Sequence, residues 1–180
     1  LRVAAVATLV ATPPGIGEAG LLARRNFWGK AALDALIYLP LVLPPVVTGY
    51  LLLLTFGRKG LVGAWLADTL GIVFAFRCTG AALACGVMSF PLLVRPIRLS
   101  IEAVDRKLEQ AAGTLGAAPW RVFLTVTLPL ALPGILAGMV LGFAKAIGEF
   151  GATITFVSNI PGETQTISAA IYSLTQTPDG

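Results

Sequence analysis

Between Ala35 and Phe56 the chain runs ALIYLPLVLPPVVTGYLLLLTF without one charged side chain. A helix of about 20 apolar residues crosses the hydrocarbon of a bilayer, and few other environments take up such a run whole. Two comparable stretches follow. Thr79 to Val94 reads TGAALACGVMSFPLLV and is slightly short, while Leu128 to Ile147 carries Lys145 near its end. Residues 1–23 look like the remainder of an earlier span, although TPPGIGE with Glu18 is polar for that position. Composition agrees: the chain is 56% hydrophobic and only 12% charged, with mean hydropathy +0.84, whereas a soluble domain carries roughly a quarter charged residues. The expectation is an all-α, polytopic transmembrane helical bundle. It forms a single domain over 1–180, with spans at about 1–23, 35–56, 79–98 and 128–147. The opening LRVAAVATLV, already apolar and without an initiator Met, reads as a chain whose start has been cut away, and a final span is expected beyond the end.

Lysine and arginine favour the cytoplasmic side in short loops. Arg24, Arg25, Lys30, Arg98, Arg106, Lys107 and Arg121, with Arg95 close by, define that side, against Arg58, Lys59 and Arg77 on the other. Residues 57–78 and 148–165 then lie outside. The ending ETQTISAAIYSLTQTPDG is too polar to span and reads as a short helix dipping at the outer face. Pro40, Pro44, Pro45, Pro91, Pro129 and Pro133 each remove a backbone donor and free a carbonyl within an apolar run, which suits either kinked helices lining a wet pathway or ordinary kinks in a packed bundle. Cys78 and Cys85, seven apart on one helix face, match no trusted metal or disulfide spacing and read as small buried residues. The chain has no His, so imidazole acid–base chemistry and His metal sites are excluded within it; no metal and no cofactor is expected.

From Glu102 to Leu115 the segment EAVDRKLEQAAGTL is rich in helix formers, and Glu102 stands four residues before Arg106 in the favourable order for an ion pair. Gly116 suits a positive φ that ends the helix, and Pro119 suits the first turn of the next, PWRVFLTV. The spacing therefore predicts a helix-turn-helix over 102–127 on the cytoplasmic face. Ala111, Ala112 and Gly113 leave one side without bulk and Glu109 offers an anionic acceptor. On composition alone this is either a docking element or a loop packed on its own bundle.

The spacing of Glu109, Ala111, Ala112, Gly116, Phe123, Leu128 and Pro129 resembles the "EAA" loop of permease subunits in bacterial ABC importers, with Val126 and Thr127 as a mild departure ahead of the Leu-Pro pair. LPLVLPPVVTGYLLLL (39–54), MSFPLLVRPIRL (88–99) and GEFGATITFVSNIPGETQTI (148–167) are similar to molybdate permeases over nearly the whole chain, with sulfate and thiosulfate permeases close behind. The resemblance implies a MetI-like permease fold in a multi-pass subunit of the bacterial inner membrane. It also implies a homodimer with itself, two copies of an ATP-binding ABC subunit inside, and a periplasmic oxyanion-binding protein outside. Its cargo would be molybdate, or tungstate. Glu109, Ala111, Ala112, Gly116, Trp120 and Arg121 would couple to the ATPase. Pro44, Pro45, Pro91, Gly148, Glu149 and Gly151 would belong to the pathway or its gate.

Other readings of single residues stay open. Lys145 and Glu149, four apart on one face, suit a pair at a gate or snorkelling at the interface. Arg95 and Arg98 suit an anion or, more simply, anchorage at the cytoplasmic boundary. Trp120 and Arg121 meet either headgroups or the ATPase, and Asn159, Thr164 and Thr166 offer polar contacts outside. The chain has no G-x-x-x-x-G-K-[ST] phosphate loop, so ATP hydrolysis is not its own activity. An intramembrane hydrolase lacks its H-E-x-x-H or G-x-S-x-G. An ion-coupled carrier lacks charges at mid-depth and an inverted repeat. A nucleic-acid partner is not expected.

Overall fold

The computed structural model describes residues 1–71, 73, 74, 76–160 and 164–176. In chain order the helices are α1 (Arg2–Arg24), α2 (Lys30–Val42), α3 (Pro45–Phe56), α4 (Leu61–Leu70), α5 (Cys78–Ala103), α6 (Arg106–Thr114) and α7 (Pro119–Val122). A π-helical segment (Phe123–Thr127) follows, then α8 (Leu128–Leu130), α9 (Leu132–Ile147), α10 (Gly151–Val157) and α11 (Ile167–Gln176). Every regular element among the described residues is helical. α1 and α5 are long and apolar enough to cross a membrane, and up to four spans result if each bent pair, α2–α3 and α7–α9, counts as one. The chain is a multi-pass membrane protein.

α5 is the centre, with α9 and α1 packed along it. Its 26 residues reach about 39 Å, longer than the 79–98 expected, because LSIEA continues the helix past the basic residues. Close approach of α9 follows from Gly134, Gly138, Gly142 and Ala146, spaced every four residues on one face. A Cβ on Gly138 would lie 2.5 Å from the Leu93 carbonyl oxygen, and one on Gly134 would lie 2.7 Å from that of Pro96. Ile135, Gly138, Gly142 and Ala146 are buried, while Leu132, Leu136 and Val140 on the other face are exposed. Small residues inward and large apolar ones outward is the pattern of helices packed in lipid, where close van der Waals approach replaces a hydrophobic driving force. α1 does the same with Ala4, Ala7, Ala11, Gly15 and Ala19 buried, and Leu9 and Val10 exposed.

The 35–56 run does not form one straight span. α2 and α3 meet at a bend of 119°, because Leu43 and Pro44 each precede a proline and take extended backbone, with ψ of 142° and 137°. The 128–147 run begins earlier and is bent by 69° at Ala131. Pro133 has no N–H for the Pro129 carbonyl and its ring crowds that oxygen. Just before, Leu128 N–H reaches back to the Phe123 oxygen, five residues away, and Pro129 has no N–H to restore the tighter pattern.

The expected helix over 102–115 is divided. α5 takes up residues as far as Ala103, and Asp105 starts a new helix by accepting from Lys107 N–H at 2.9 Å. Glu102 consequently pairs with Arg98 at 2.9 Å instead of Arg106. Arg98 also holds Asp34 of α2 at 2.8 Å, which makes it an anchor between helices. Of the two cysteines, Cys85 is buried as expected and Cys78 is exposed at the start of α5. The 57–78 segment contains α4, which polarity alone did not announce. Within the 148–165 segment, Ala152, Thr153, Phe156 and Val157 are buried as α10 packs against α3 and α5. α11 matches the short helix expected near the end. Pro161, Gly162 and Glu163 of SNIPGETQTI, and residues 177–180, lie outside the described residues.

If backbone contact along α9 holds the bundle, Gly138→Val should lower stability by at least about 2 kcal/mol through overpacking. Gly17→Ala, which meets nothing within 4 Å, should leave the thermal midpoint in detergent near that of the unchanged protein.

Candidate functional site

Two places bring the sequence-predicted residues together. The first is at the basic end of the bundle, where Arg24 of α1 meets the Val104 carbonyl at the end of α5. α6 and α7 are joined by a turn at 115–118 in which Gly116 has φ +84°. Its N–H bonds the Gly113 oxygen at 3.0 Å, and Ala117 N–H bonds the Ala112 oxygen at 3.3 Å. Pro119 opens α7 as its first residue. The helix-turn-helix is thus formed as the glycine and proline require.

α6 has no buried residue. Leu108, Leu115, Trp120 and Leu124 are 50%, 88%, 61% and 49% exposed, so this end presents apolar side chains outward between charges. Ala111 is exposed and Ala112 half-buried on the same helix. The Arg121 guanidinium lies over the Trp120 ring at 5.3 Å from its centre, a cation–π contact that pre-orders both.

Glu109 is an acceptor, and its partners lie within the chain. Its carboxylate turns into the bundle, where Oε1 receives Arg24 Nη2 at 2.8 Å and the Thr127 hydroxyl at 2.5 Å. Sequence spacing gave no sign of a partner 85 positions away.

The second place is the meeting of the two breaks. A Cβ on Gly151 would stand 2.8 Å from Pro45 Cβ and 3.4 Å from Val46 N, and one on Gly49 would stand 2.6 Å from the Ala152 oxygen. The Pro44–Pro45 bend and the GEFG turn are therefore in contact. Glu149 is 1% exposed. One carboxylate oxygen accepts from Ala152 N–H at 2.9 Å, and the other meets Lys145 Nζ at 3.1 Å. The carboxylate so satisfies an otherwise orphaned N–H in the first turn of α10. The Lys145 ammonium is thus held by a buried partner, the pairing its four-residue spacing suited. Gly148 has φ −78°, and a Cβ there would make only ordinary contacts, 3.8 Å from the Ala144 and Lys145 oxygens, so its conformation does not require glycine. Pro91 is buried within α5.

The profile of the family described as "Binding-protein-dependent transport system inner membrane component" matches residues 12–177. The chain belongs to this family. It is 63% identical over 180 residues to "Molybdenum transport system permease protein ModB" of Escherichia coli (strain K12), covering 100% of this chain and 79% of that protein. It is 61% identical over 178 residues to the protein of the same name in Haemophilus influenzae, covering 99% and 78%. With "Probable sulfate transport system permease protein cysT" of Chlorokybus atmophyticus it shares 39% over 172 residues, 96% of this chain and 60% of that one.

Asn159, Thr164 and Thr166 serve as internal fasteners. Asn159 donates to the Ser173 hydroxyl at 2.6 Å and the Thr164 hydroxyl to the Ser158 carbonyl at 3.2 Å, with Thr164 and Thr166 buried. A cleft of about 630 Å³ between α1, α2 and α5 is lined by Val10, Leu33, Ile37, Leu83 and Phe90, with Glu18 at its edge. An apolar wall and a carboxylate suit a dianion poorly, and the Pro45–Gly151 contact lies elsewhere. Gly151→Val is expected to force α3 and α10 apart and to cut transport by at least about tenfold, with Gly148→Ala close to the unchanged protein; solute uptake into vesicles at matched membrane levels checks both.

Proposed function

We propose that this chain is the membrane-spanning subunit of an ATP-driven importer that passes molybdate, and the closely similar tungstate, through the bacterial inner membrane. Its 63% identity over the full chain to a molybdenum permease, against 39% to a sulfate permease, carries the choice of cargo. A dianion does not cross hydrocarbon unaided, since even a single charge at the bilayer centre costs about 2.5–3.5 kcal/mol on insertion scales. A pathway between two copies of this chain, opened alternately, avoids that cost. A periplasmic oxyanion-binding protein delivers the ion, and two copies of a separate ATP-binding subunit drive the change of state.

The ATP-binding subunit seats on α6, the Gly116 turn and α7. The outward Leu108, Leu115 and Trp120 supply apolar anchors, and Arg121 supplies a charge held in place by the indole. Ala111 and Ala112 let the partner approach the helix, and Glu109 supports the element from behind. The Pro45–Gly151 contact, with Pro44 and Glu149 close by in the chain, is the gate. Gly148 and Pro91 shape the helices on either side of it. When the docked element moves, α9 carries the displacement to this contact.

Proteoliposomes holding the permease, its ATPase and the binding protein should accumulate radiolabelled molybdate only with ATP, with competition from tungstate and little from sulfate. Uptake of sulfate with exclusion of molybdate would replace this reading by the sulfate-permease one. Gly116→Val puts a β-branched residue at φ +84° and is expected to reduce ATP-driven uptake severalfold while the protein still inserts. Unchanged uptake would remove the turn from the coupling path.

A further inference from the structure

Helix α6 reaches the bundle in an unusual way. With no residue buried, it is not held by an apolar face, the ordinary source of helix attachment. Its polar link is Glu109. Arg24, in the last turn of α1, gives its Nη2 both to Glu109 Oε1 at 2.8 Å and to the Val104 carbonyl at 3.2 Å, where α5 ends. Thr127, 1% exposed in the π segment, donates to the same Glu109 oxygen. The side chains of Arg24 and Glu109 are 17% and 20% exposed, so salt screens the pair less than one at the surface. Alongside, a Cβ on Gly20 of α1 would come within 3.0 Å of the Phe123 ring, so α1 and the π segment already touch. One carboxylate therefore joins three elements, α6, α1 and the π segment.

We infer that Glu109 is a positioning residue that transmits displacement of α6 to α1 and the π segment, and that it is not itself a contact to the ATPase. The inference rests on α6 and α7 being the docking element. Two features of the pair suit transmission. It is charge-assisted and short, hence stiff. It is also one-pronged: Arg24 Nε is buried without an acceptor, so the guanidinium has a donor to spare for a second geometry when α6 shifts.

The test is made on the assembled complex of permease and ATPase in nanodiscs, with amide hydrogen exchange followed with and without ATP and vanadate. In the unchanged complex the nucleotide should alter exchange at 106–114, at 20–25 and at 123–127. Glu109→Gln and Arg24→Gln should retain the ATPase in a pull-down at the unchanged yield and keep the response at 106–114. Their response at 20–25 should fall about fivefold, the low end of ordinary coupling between sites. Arg24→Glu combined with Glu109→Arg should restore it. Thr127→Val leaves the ion pair in place and should lose the response at 123–127 alone. Release of the ATPase by Glu109→Gln would overturn the inference, as would a full response at 20–25 in that variant, no recovery in the exchanged pair, or an unaltered response at 123–127 in Thr127→Val. These readouts need no cargo, so failure of the unchanged complex to transport molybdate would count against the proposed function separately.

Discussion

The bundle depends on how closely α9 can lie on α5. Gly134, Gly138, Gly142 and Ala146 remove side chains from one face of α9, and the Leu93 and Pro96 carbonyls of α5 occupy that space. Lipid gives no hydrophobic reward for bringing two apolar helices together, so attraction must come from many short contacts, and bulk at any one of these positions separates the helices. This packing fixes where both ends of α9 arrive. At one end is the kink at Ala131 beside the π segment, and at the other are Lys145 and the turn that leads to α10.

Prolines then set directions that packing alone would not. Extended backbone at Leu43 and Pro44 ends α2 and starts α3 on a new course, and the start of α3 is where Gly151 of α10 touches Pro45. A break in apolar surroundings leaves backbone groups to be satisfied. At α10 the Glu149 carboxylate does this, and Lys145 compensates its charge. A buried carboxylate without that lysine would be strongly unfavourable, so the capping of α10 and the last turn of α9 are mutually dependent. The break before α10 is thus built with its own polar partner.

What could be read from residue order was local. Gly116 and Pro119 fixed the turn at 115–118 through the conformations they favour, and the four-residue spacing of Lys145 and Glu149 placed them within reach of each other. The long apolar runs coincide with helices. Their shapes were less accessible, since a proline in an apolar run suits a kink, a break or a first turn, and neighbouring helices decide which. Competition also misled: Glu102 had Arg98 and Arg106 at equal spacing, and the helix start at Asp105 removed the second. Glu109 was legible as an acceptor but not as a partner of Arg24, because that contact exists only once α1 and α6 are brought to the same end. The glycine stripe of α9 was present in the sequence at a plain four-residue period. Read only for hydropathy, it was hidden within the span.

On the proposed reading, these parts leave α9 as the element between motor and gate. Its 16 residues make a rod of about 24 Å, so a tilt of about 10° at the Ala131 kink displaces the far end by roughly 4 Å. That exceeds the clearance at Gly151 and Pro45, where one added carbon would already overlap. A smooth stripe of small residues against α5 permits such a tilt with little change in side-chain interdigitation, while the kink and π segment provide the place to bend. The Lys145–Glu149 pair then obliges the start of α10 to follow the end of α9. Small movements at the basic end can therefore separate α3 from α10 without unpacking the three-helix centre.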